Sequence, residues 1–283
     1  MKCTNRSHKR LLNKTVLLSV VTIFMLCGCA KKEIVEVHDV NDLNGLKVGV
    51  NLAWECDYAL TGRSDMEIYR YDMTADMLMA LNYNNVDLIA VDDVTWRILS
   101  ANSTGLEKIE PEFSECGYIM YFAGDEGELA EEYNAFLAEF KKTDSYKELT
   151  DRVKAFDGNE YEMPDIPVNE DGKTVRIGFD VAGYPRAFLE TDGSLAGFDI
   201  EMALWFGAIC GYKIEIIPSE FNEVVIGLKN GNYDAALGYI SEVYAEEATI
   251  CGFIPSDAYG ETPLYFVKKG TTGNITINSE VLG

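Results

Sequence analysis

The sequence predicts an α/β protein of two lobes, and three observations carry that prediction. Strand-like and helical stretches alternate through both halves of the 283-residue chain, the pattern of parallel sheets with crossover helices. The two halves also share a phrase: "ALNYNNVDLIAVDD" at 80–93 and "GLKNGNYDAALGYI" at 227–240 each run from a Leu-bearing helical stretch through Asn, one residue and Asp into apolar residues. Between the halves lies 158–173, "GNEYEMPDIPVNEDGK", which has two prolines, five acidic residues and no periodicity, and is expected to be an exposed linker.

In the first half, 46–50 (LKVGV), 67–71 (EIYRY) and 86–91 (VDLIAV) are strand-like, with helical patterns at 55–62, 73–83 and 92–101. A further strand is expected at 116–123 (CGYIMYFA). After it, Leu129, Tyr133, Phe136, Leu137 and Phe140 recur at helical spacing, and Thr143 with Asp144 opens a second helix. The second half repeats the plan: strand 174–179, helix 198–210, strand 212–217, helix 221–230, strand 233–238, a short helix near 242–248 and strand 262–268. Each copy of the shared phrase thus marks a helix end, a turn and the start of a buried parallel strand. Two such lobes leave a cleft at the carboxyl ends of their strands, where open α/β sheets bind small molecules.

The first residues stand apart. Lys2, Arg6, Lys9, Arg10 and Lys14 precede the apolar run "VLLSVVTIFMLCGC", which is short for a membrane span and has the flanks of a secretory signal. Its end, Leu26-Cys27-Gly28-Cys29, resembles a bacterial lipobox, which implies cleavage before Cys29 and lipidation of that thiol; the alternative is an uncleaved anchor helix. Either reading tethers the protein to a membrane with its bulk outside the cytoplasm. Losing residues 1–28 removes five basic side chains and no acidic one, leaving 19 Lys+Arg against 47 Asp+Glu, a formal charge of −28. Such a surface repels phosphate backbones and anionic headgroups, so nucleic acid is not an expected partner and contact with the membrane is expected through the lipid alone.

Histidine occurs only at His8 and His38, which leaves the folded part no Ser/His/Asp triad, Cys/His dyad or His-rich metal site. No cofactor or metal is expected. Cys56, Cys116, Cys210 and Cys251 show no CxxC spacing and are expected to be buried free thiols, although an exported chain offers conditions in which a pair oxidises.

The stretch "VRIGFDVAGYPRAFLETDGSLAGFDIEMALWFGAICGYKIEIIPSEFNEVVIGLKNGNYDAALGY" resembles the first lobe of the family 3 extracellular solute-binding proteins, the polar amino-acid receptors of ABC transporters with the periplasmic-binding-protein type II fold. Strand, Asp-x-x-Tyr-Pro-like loop and Gly-Phe-Asp helix start fall at family spacing. "DVNDLNGLKVGVN", "YDMTADMLMALNYNNVDLIAVDD" and the segment from Cys116 to Val153 are similar to that family's second lobe and closing helices. The order is reversed, which suggests a circular permutation in which 158–173 joins the family's two termini. Sixteen extended residues span up to about 50–58 Å, enough for such a join. The reordering also implies that one of the family's two interlobe crossings is cut. A remnant of two tandem domains is the competing explanation.

The expected organisation is a leader over 1–28, a tether over 29–41, a second-lobe-like α/β unit over 42–116, an interlobe strand and closing helices over 117–157, the linker 158–173, a first-lobe-like unit over 174–270 and a tail over 271–283. The resemblance implies a tethered receptor for a small polar solute, serving an ABC permease, monomeric and not an enzyme. It places Asp92 where amino-acid binders hold the ligand ammonium, although a helix N-cap is an equal alternative. It sets Asp180 and Tyr184 at the first-lobe loop, Tyr184 being one position late and otherwise a surface turn residue. It puts Ser241, with Gly238 and Tyr239, at the following strand end.

The family's carboxylate-clamping Arg is expected near 246, where this chain has Glu246, with no Lys or Arg from 230 to 267. The family's Gly-Ser/Thr-Thr loop is replaced by Ala53-Trp54-Glu55. What remains, Trp54, Glu55, Asp92 and Tyr184, suits a cation through ion pairing and cation–π contact, such as an amine or polyamine-like solute. Arg186 could supply a clamp from a new direction; otherwise it is a solvated loop residue. Two other functions compete: a dehydratase-like enzyme using Glu55 or Asp92 as acid or base, and a sensor or interaction module without a small-molecule ligand.

Overall fold

The computed structural model describes residues 43–156, 161–180, 184, 186–238, 240–271 and 274–277. The leader, the tether with Cys29, and Tyr239 lie outside the described residues. What is described falls within one compact unit that holds two five-stranded sheets, here called lobes A and B.

Lobe A is built from β1 (Lys47–Asn51), α1 (Glu55–Leu60), β2 (Glu67–Tyr71), α2 (Thr74–Asn82), β3 (Leu88–Asp92) and α3 (Asp93–Asn102), followed by β4 (Ser103–Thr104) and the long β5 (Leu106–Tyr118). Strands β1, β2 and β3 are parallel, and β3 is buried along its whole length. Lobe B begins with β6 (Tyr121–Phe122), then the closing helices α4 (Gly127–Phe140) and α5 (Asp144–Ala155). It continues with β7 (Thr174–Asp180), the β8 (Phe188–Leu189) and β9 (Leu195–Ala196) hairpin, α6 (Phe198–Cys210), β10 (Lys213–Ser219), α7 (Phe221–Lys229) and β11 (Ala235–Leu237). A 3-10 turn (Glu242–Tyr244), α8 (Ala245–Ile250), β12 (Ile254–Pro255), β13 (Gly260–Lys269) and β14 (Thr276–Ile277) complete the chain.

The repeated phrase does the same work twice. In lobe A the Asp87 amide donates to the Lys47 carbonyl and the Asp87 carboxylate accepts from the Lys47 amide, at 2.8 and 3.0 Å. In lobe B Asp234 does the same to Arg176, at 2.8 and 2.7 Å, and its carboxylate also takes the Arg176 guanidinium. Each Asp therefore sets a new strand beside the lobe's first strand, and the apolar run after it fills the core. The periodicities also explain the helices: Leu129, Tyr133, Phe136, Leu137 and Phe140 form the buried stripe of α4, facing Phe206 of α6. Gly211, at φ +82°, supplies the left-handed cap that ends α6.

Four expectations are corrected. The strand expected at 116–123 is the end of one strand and the whole of another, because the chain leaves the lobe A sheet after Tyr118 and enters the lobe B sheet at Tyr121. Neither crossing is cut. The chain passes from A to B between β5 and β6 and returns between β12 and β13, and β13 lies between β3 and β5 in the lobe A sheet. The span 174–270 is therefore not one lobe: its last strand belongs to the other sheet, and β6 from the first half lies between β11 and β12. The linker is not simply exposed either. Tyr161 and Ile166 are buried, Tyr161 Oη donates to Glu201 at 2.9 Å, and Asn169 Nδ2 donates to the Gly207 carbonyl at 2.6 Å, so the segment is pinned along α6.

The two crossings run side by side and are bonded to each other. The Tyr259 amide donates to the Tyr118 carbonyl and the Ser256 amide to the Met120 carbonyl, each at 2.8 Å, while the Met120 amide donates to Ser256 Oγ at 2.9 Å. A pair of adjacent, mutually bonded strands is the geometry of a hinge between two rigid bodies.

Candidate functional site

The strand ends of both lobes face one cavity of about 640 Å³. Lobe A contributes Leu52, Ala53, Trp54 and Glu55 from the β1–α1 turn and Asp72 from the end of β2. Lobe B contributes Asp180 and Gly238 from the ends of β7 and β11, together with side chains of α7, α8 and the crossing residue Tyr121. Four carboxylates (Glu55, Asp72, Asp180 and Glu247) line it, and no Lys, Arg or His does among the described residues. Gly238 has φ +98°, and a Cβ there would meet the Asp180 amide at 3.2 Å, so glycine lets the two strand ends approach each other at the cavity wall.

Glu55 is the most constrained of the four. It begins α1, is 2 % exposed, and accepts no hydrogen bond from another side chain among the described residues. Burial first, then the neighbouring Asp92 charge, push its carboxyl up to about 8, against the pull of its own backbone amide and of Arg186. Asp92 sits behind it. Both Asp92 oxygens are engaged as the N-cap of α3, accepting from the Thr95 amide at 2.8 Å and from Thr95 Oγ1 at 3.0 Å. With Trp54 and Glu55 it lines a small recess, but it is not part of the large cavity wall. These two contacts are those of a helix N-cap.

Arg186 is neither a clamp in the cavity wall nor a solvated residue. It is 4 % exposed, donates from Nε and Nη2 to Asp199 Oδ1 at 3.1 and 2.9 Å, and lies 3.2 Å from the centroid of the Tyr118 ring. Burial opposes its charge, yet Asp199, Tyr118 and Tyr259 outweigh that and raise it further above its ordinary value. The hairpin β8–β9 folds the loop back over α6, and this carries Arg186 beneath both crossings; no local periodicity in the sequence announces it.

Tyr184 is 38 % exposed and stacks edge-on with Phe156 and Phe188 outside the cavity wall, which accords with the surface-turn alternative. Ser241 is buried, shares a 2.8 Å hydrogen bond with Cys116 Sγ and caps the 3-10 turn through the Val243 amide. Cys56 and Cys116 are buried free thiols as expected, whereas Cys210 is half-buried and Cys251 is exposed at the cavity wall. Glu246 is exposed on α8 and is not in the wall, whereas its neighbour Glu247 is.

Sequence reasoning missed four groups of this site: Asp72, Glu247, Tyr121 and Tyr244. Tyr244 Oη donates to the Ala53 carbonyl, and its ring meets Tyr58 edge-on at 4.6 Å. The 3-10 turn that carries it is held on lobe A, where Glu242 accepts from the Gly117 amide at 2.8 Å and Val243 packs against the core. Ala53 itself has φ +59°, and its amide donates to Asp57 Oδ2 at 3.0 Å, so the turn carrying Trp54 and Glu55 is fixed from within lobe A.

Residues 175–275 match the model of the bacterial extracellular solute-binding proteins, family 3. The match spans 101 of the 283 residues. The family 3 segment covers β7 through β13, and so includes Asp180, Gly238 and Glu247 of the cavity wall. Among solved structures, the chain is similar to the probable amino-acid ABC transporter extracellular-binding protein YtmK of Bacillus subtilis, with 9 % identity over 81 % of this chain and 86 % of that one and a TM-score of 0.41. It is similar to a phosphate-binding protein of a phosphate ABC transporter from Streptococcus pneumoniae, with 8 % identity over 80 % and 88 % and a TM-score of 0.41. It is also similar to the GluR0 ligand-binding core, solved with L-glutamate, with 11 % identity over 81 % and 86 % and a TM-score of 0.38. A comparison with curated protein sequences gives no match. The family 3 segment makes the general role solute binding outside the cytoplasm.

Among the described residues no helix is long and apolar enough to cross a membrane, and no group of three or more His, Cys, Asp or Glu is placed to hold a metal ion.

Proposed function

We propose that this chain is a lipid-tethered, monomeric receptor that closes its two lobes on a small cationic solute, an amino acid or an amine, and delivers it to an ABC permease. The observation that carries the reading is the wall of the interlobe cavity, which presents four carboxylates and, among the described residues, no cationic side chain. A carboxylate ligand group entering there would find no cationic partner among the described residues, whereas an ammonium would find carboxylates to pair with. The paired crossings supply the hinge. Tethering would run through Cys29. The order of the family-like segments would follow from a circular permutation; the first and last described parts of the chain both lie with lobe A, where Leu43 packs in the core and β14 pairs with β4.

Glu55 also favours a second reading. A buried carboxyl held near 8 beside a second carboxylate is the arrangement enzymes use for acid–base chemistry, so a dehydratase-like activity is the rival function.

Thermal unfolding of the full chain in detergent, against amino acids, amines and polyamines at millimolar concentration, tests the receptor. A solute at 100 times its dissociation constant adds about 2.7 kcal/mol, a rise of roughly 5–11 °C in Tm for a chain of this size. A rise with amines supports the reading. A rise only with anionic solutes overturns the cation site, and turnover of the stabilising solute, followed by NMR of the mixture, moves the function to the enzyme.

A further inference from the structure

The cavity does not stop at the interlobe cleft. It runs on into lobe B between α7 and α8, where Val224, Val225, Leu228, Ile240, Ala248 and Phe253 form its wall. These residues belong to a hydrophobic cluster of lobe B or pack against it, and they present apolar surface to the cavity as well. At about 30 Å³ per water, 640 Å³ is room for about twenty water-sized groups, more than a bare ammonium or a short amine fills.

We propose that the solute is an amphipathic amine, with a single ammonium held at the Glu55 and Asp180 end and an apolar body seated in the chamber between α7 and α8. This rests on the receptor reading and narrows it. Glu55 is almost wholly buried, faces the cavity and lacks a hydrogen-bond donor from another side chain among the described residues, so an ammonium would complete it. Tyr121 also lines the cavity, and its hydroxyl is buried with no hydrogen-bond partner among the described residues.

The same wall disfavours the two neighbouring ligand classes. A polyamine would lay a second ammonium against apolar side chains, where it is desolvated without a partner. An amino acid would bring its carboxylate among Glu55, Asp72, Asp180 and Glu247 with no guanidinium or ammonium in the wall to receive it. An apolar body, in contrast, gains from every methyl group it covers.

Isothermal titration of the full chain in mild detergent with four probes tests this: 2-phenylethylamine, ethylamine, putrescine and L-phenylalanine. Phenylethylamine is expected to bind at least tenfold more tightly than each of the others. Ala248→Phe, which fills the chamber, is expected to erase the difference between phenylethylamine and ethylamine. Glu55→Gln is expected to weaken both amines by tenfold or more. Should Ala248→Phe fail to fold, Val225→Gln, at a half-buried wall position, makes the same test by turning the chamber polar. Tightest binding of L-phenylalanine or putrescine overturns the amphipathic amine and leaves the receptor standing. So does an unchanged preference in a folded chamber variant. If none of the four binds while another solute of the thermal panel does, the ligand class again falls alone; if nothing in the panel binds, the receptor reading falls with it.

Discussion

Replacing Arg186 by Met strips the charge from beneath the hinge and leaves Asp199 buried without its guanidinium. Both groups are almost fully buried, and two hydrogen bonds of 3.1 and 2.9 Å join them. Removing one partner of such a pair costs about 3–5 kcal/mol, because the remaining carboxylate has lost water without keeping its counter-charge. The contact of the guanidinium with the Tyr118 ring, at 3.2 Å, is a desolvated cation–π interaction worth about 2 kcal/mol, part of which the Met side chain restores by packing on the same ring. For a chain of this size each kcal/mol moves Tm by about 2–4 °C, so the single variant is expected to unfold about 6–20 °C lower. Exchanging both partners, Arg186→Met with Asp199→Leu, removes the stranded charge and is expected to recover most of that loss. Calorimetry of the full chain and the three variants measures both quantities. A Tm within about 2 °C of the parent, together with loss of the ligand-induced shift, would refute the structural role and return Arg186 to the ligand.

Glu55→Gln is expected to change how stability follows pH. A carboxyl whose folded value is raised to about 8 from 4.5 contributes stability that is full below the unfolded value and is lost as pH rises through the folded one. Between pH 5 and pH 8 the parent is expected to lose about 3 kcal/mol that the Gln variant keeps; parallel urea titrations at the two pH values should give converging curves only for the variant. Asp234→Asn is expected to cost about 2–3 kcal/mol, since Asp234 binds a guanidinium as well as an amide, and Asp87→Asn about 1 kcal/mol for its bond to the Lys47 amide. Equal losses in denaturant melts would show that the guanidinium contact contributes nothing. Tyr244→Phe removes the hydrogen bond to the Ala53 carbonyl while keeping the ring against Tyr58, and is expected to cost about 1 kcal/mol of stability. A urea melt of the variant that overlays the parent's would rule out a contribution from this bond.

Much of the frame is legible in the sequence by itself, because it rests on local chemistry. Apolar runs of period two or 3.6 name most strands and helices, and the Asn-x-Asp phrase marks the start of β3 and β11 because each Asp serves its own lobe's first strand at short range. Glu55 and Asp180 are placed at the cleft through the resemblance of their loops to those of the family 3 solute-binding proteins. What only the tertiary structure decided is whatever depends on the chain crossing twice between the sheets. Strand β13 belongs to the opposite lobe, which no local pattern records, since a strand's sequence shows that it is buried and not which sheet buries it. Arg186 reads as a loop residue until the fold brings Asp199, Tyr118 and Tyr259 around it, and Asp92 reads equally as ligand or cap until Thr95 takes both its oxygens. The chamber between α7 and α8 is likewise invisible beforehand: its wall residues have the periodicity of an ordinary core, and only the distance between two packed helices decides whether such residues touch each other or enclose a space.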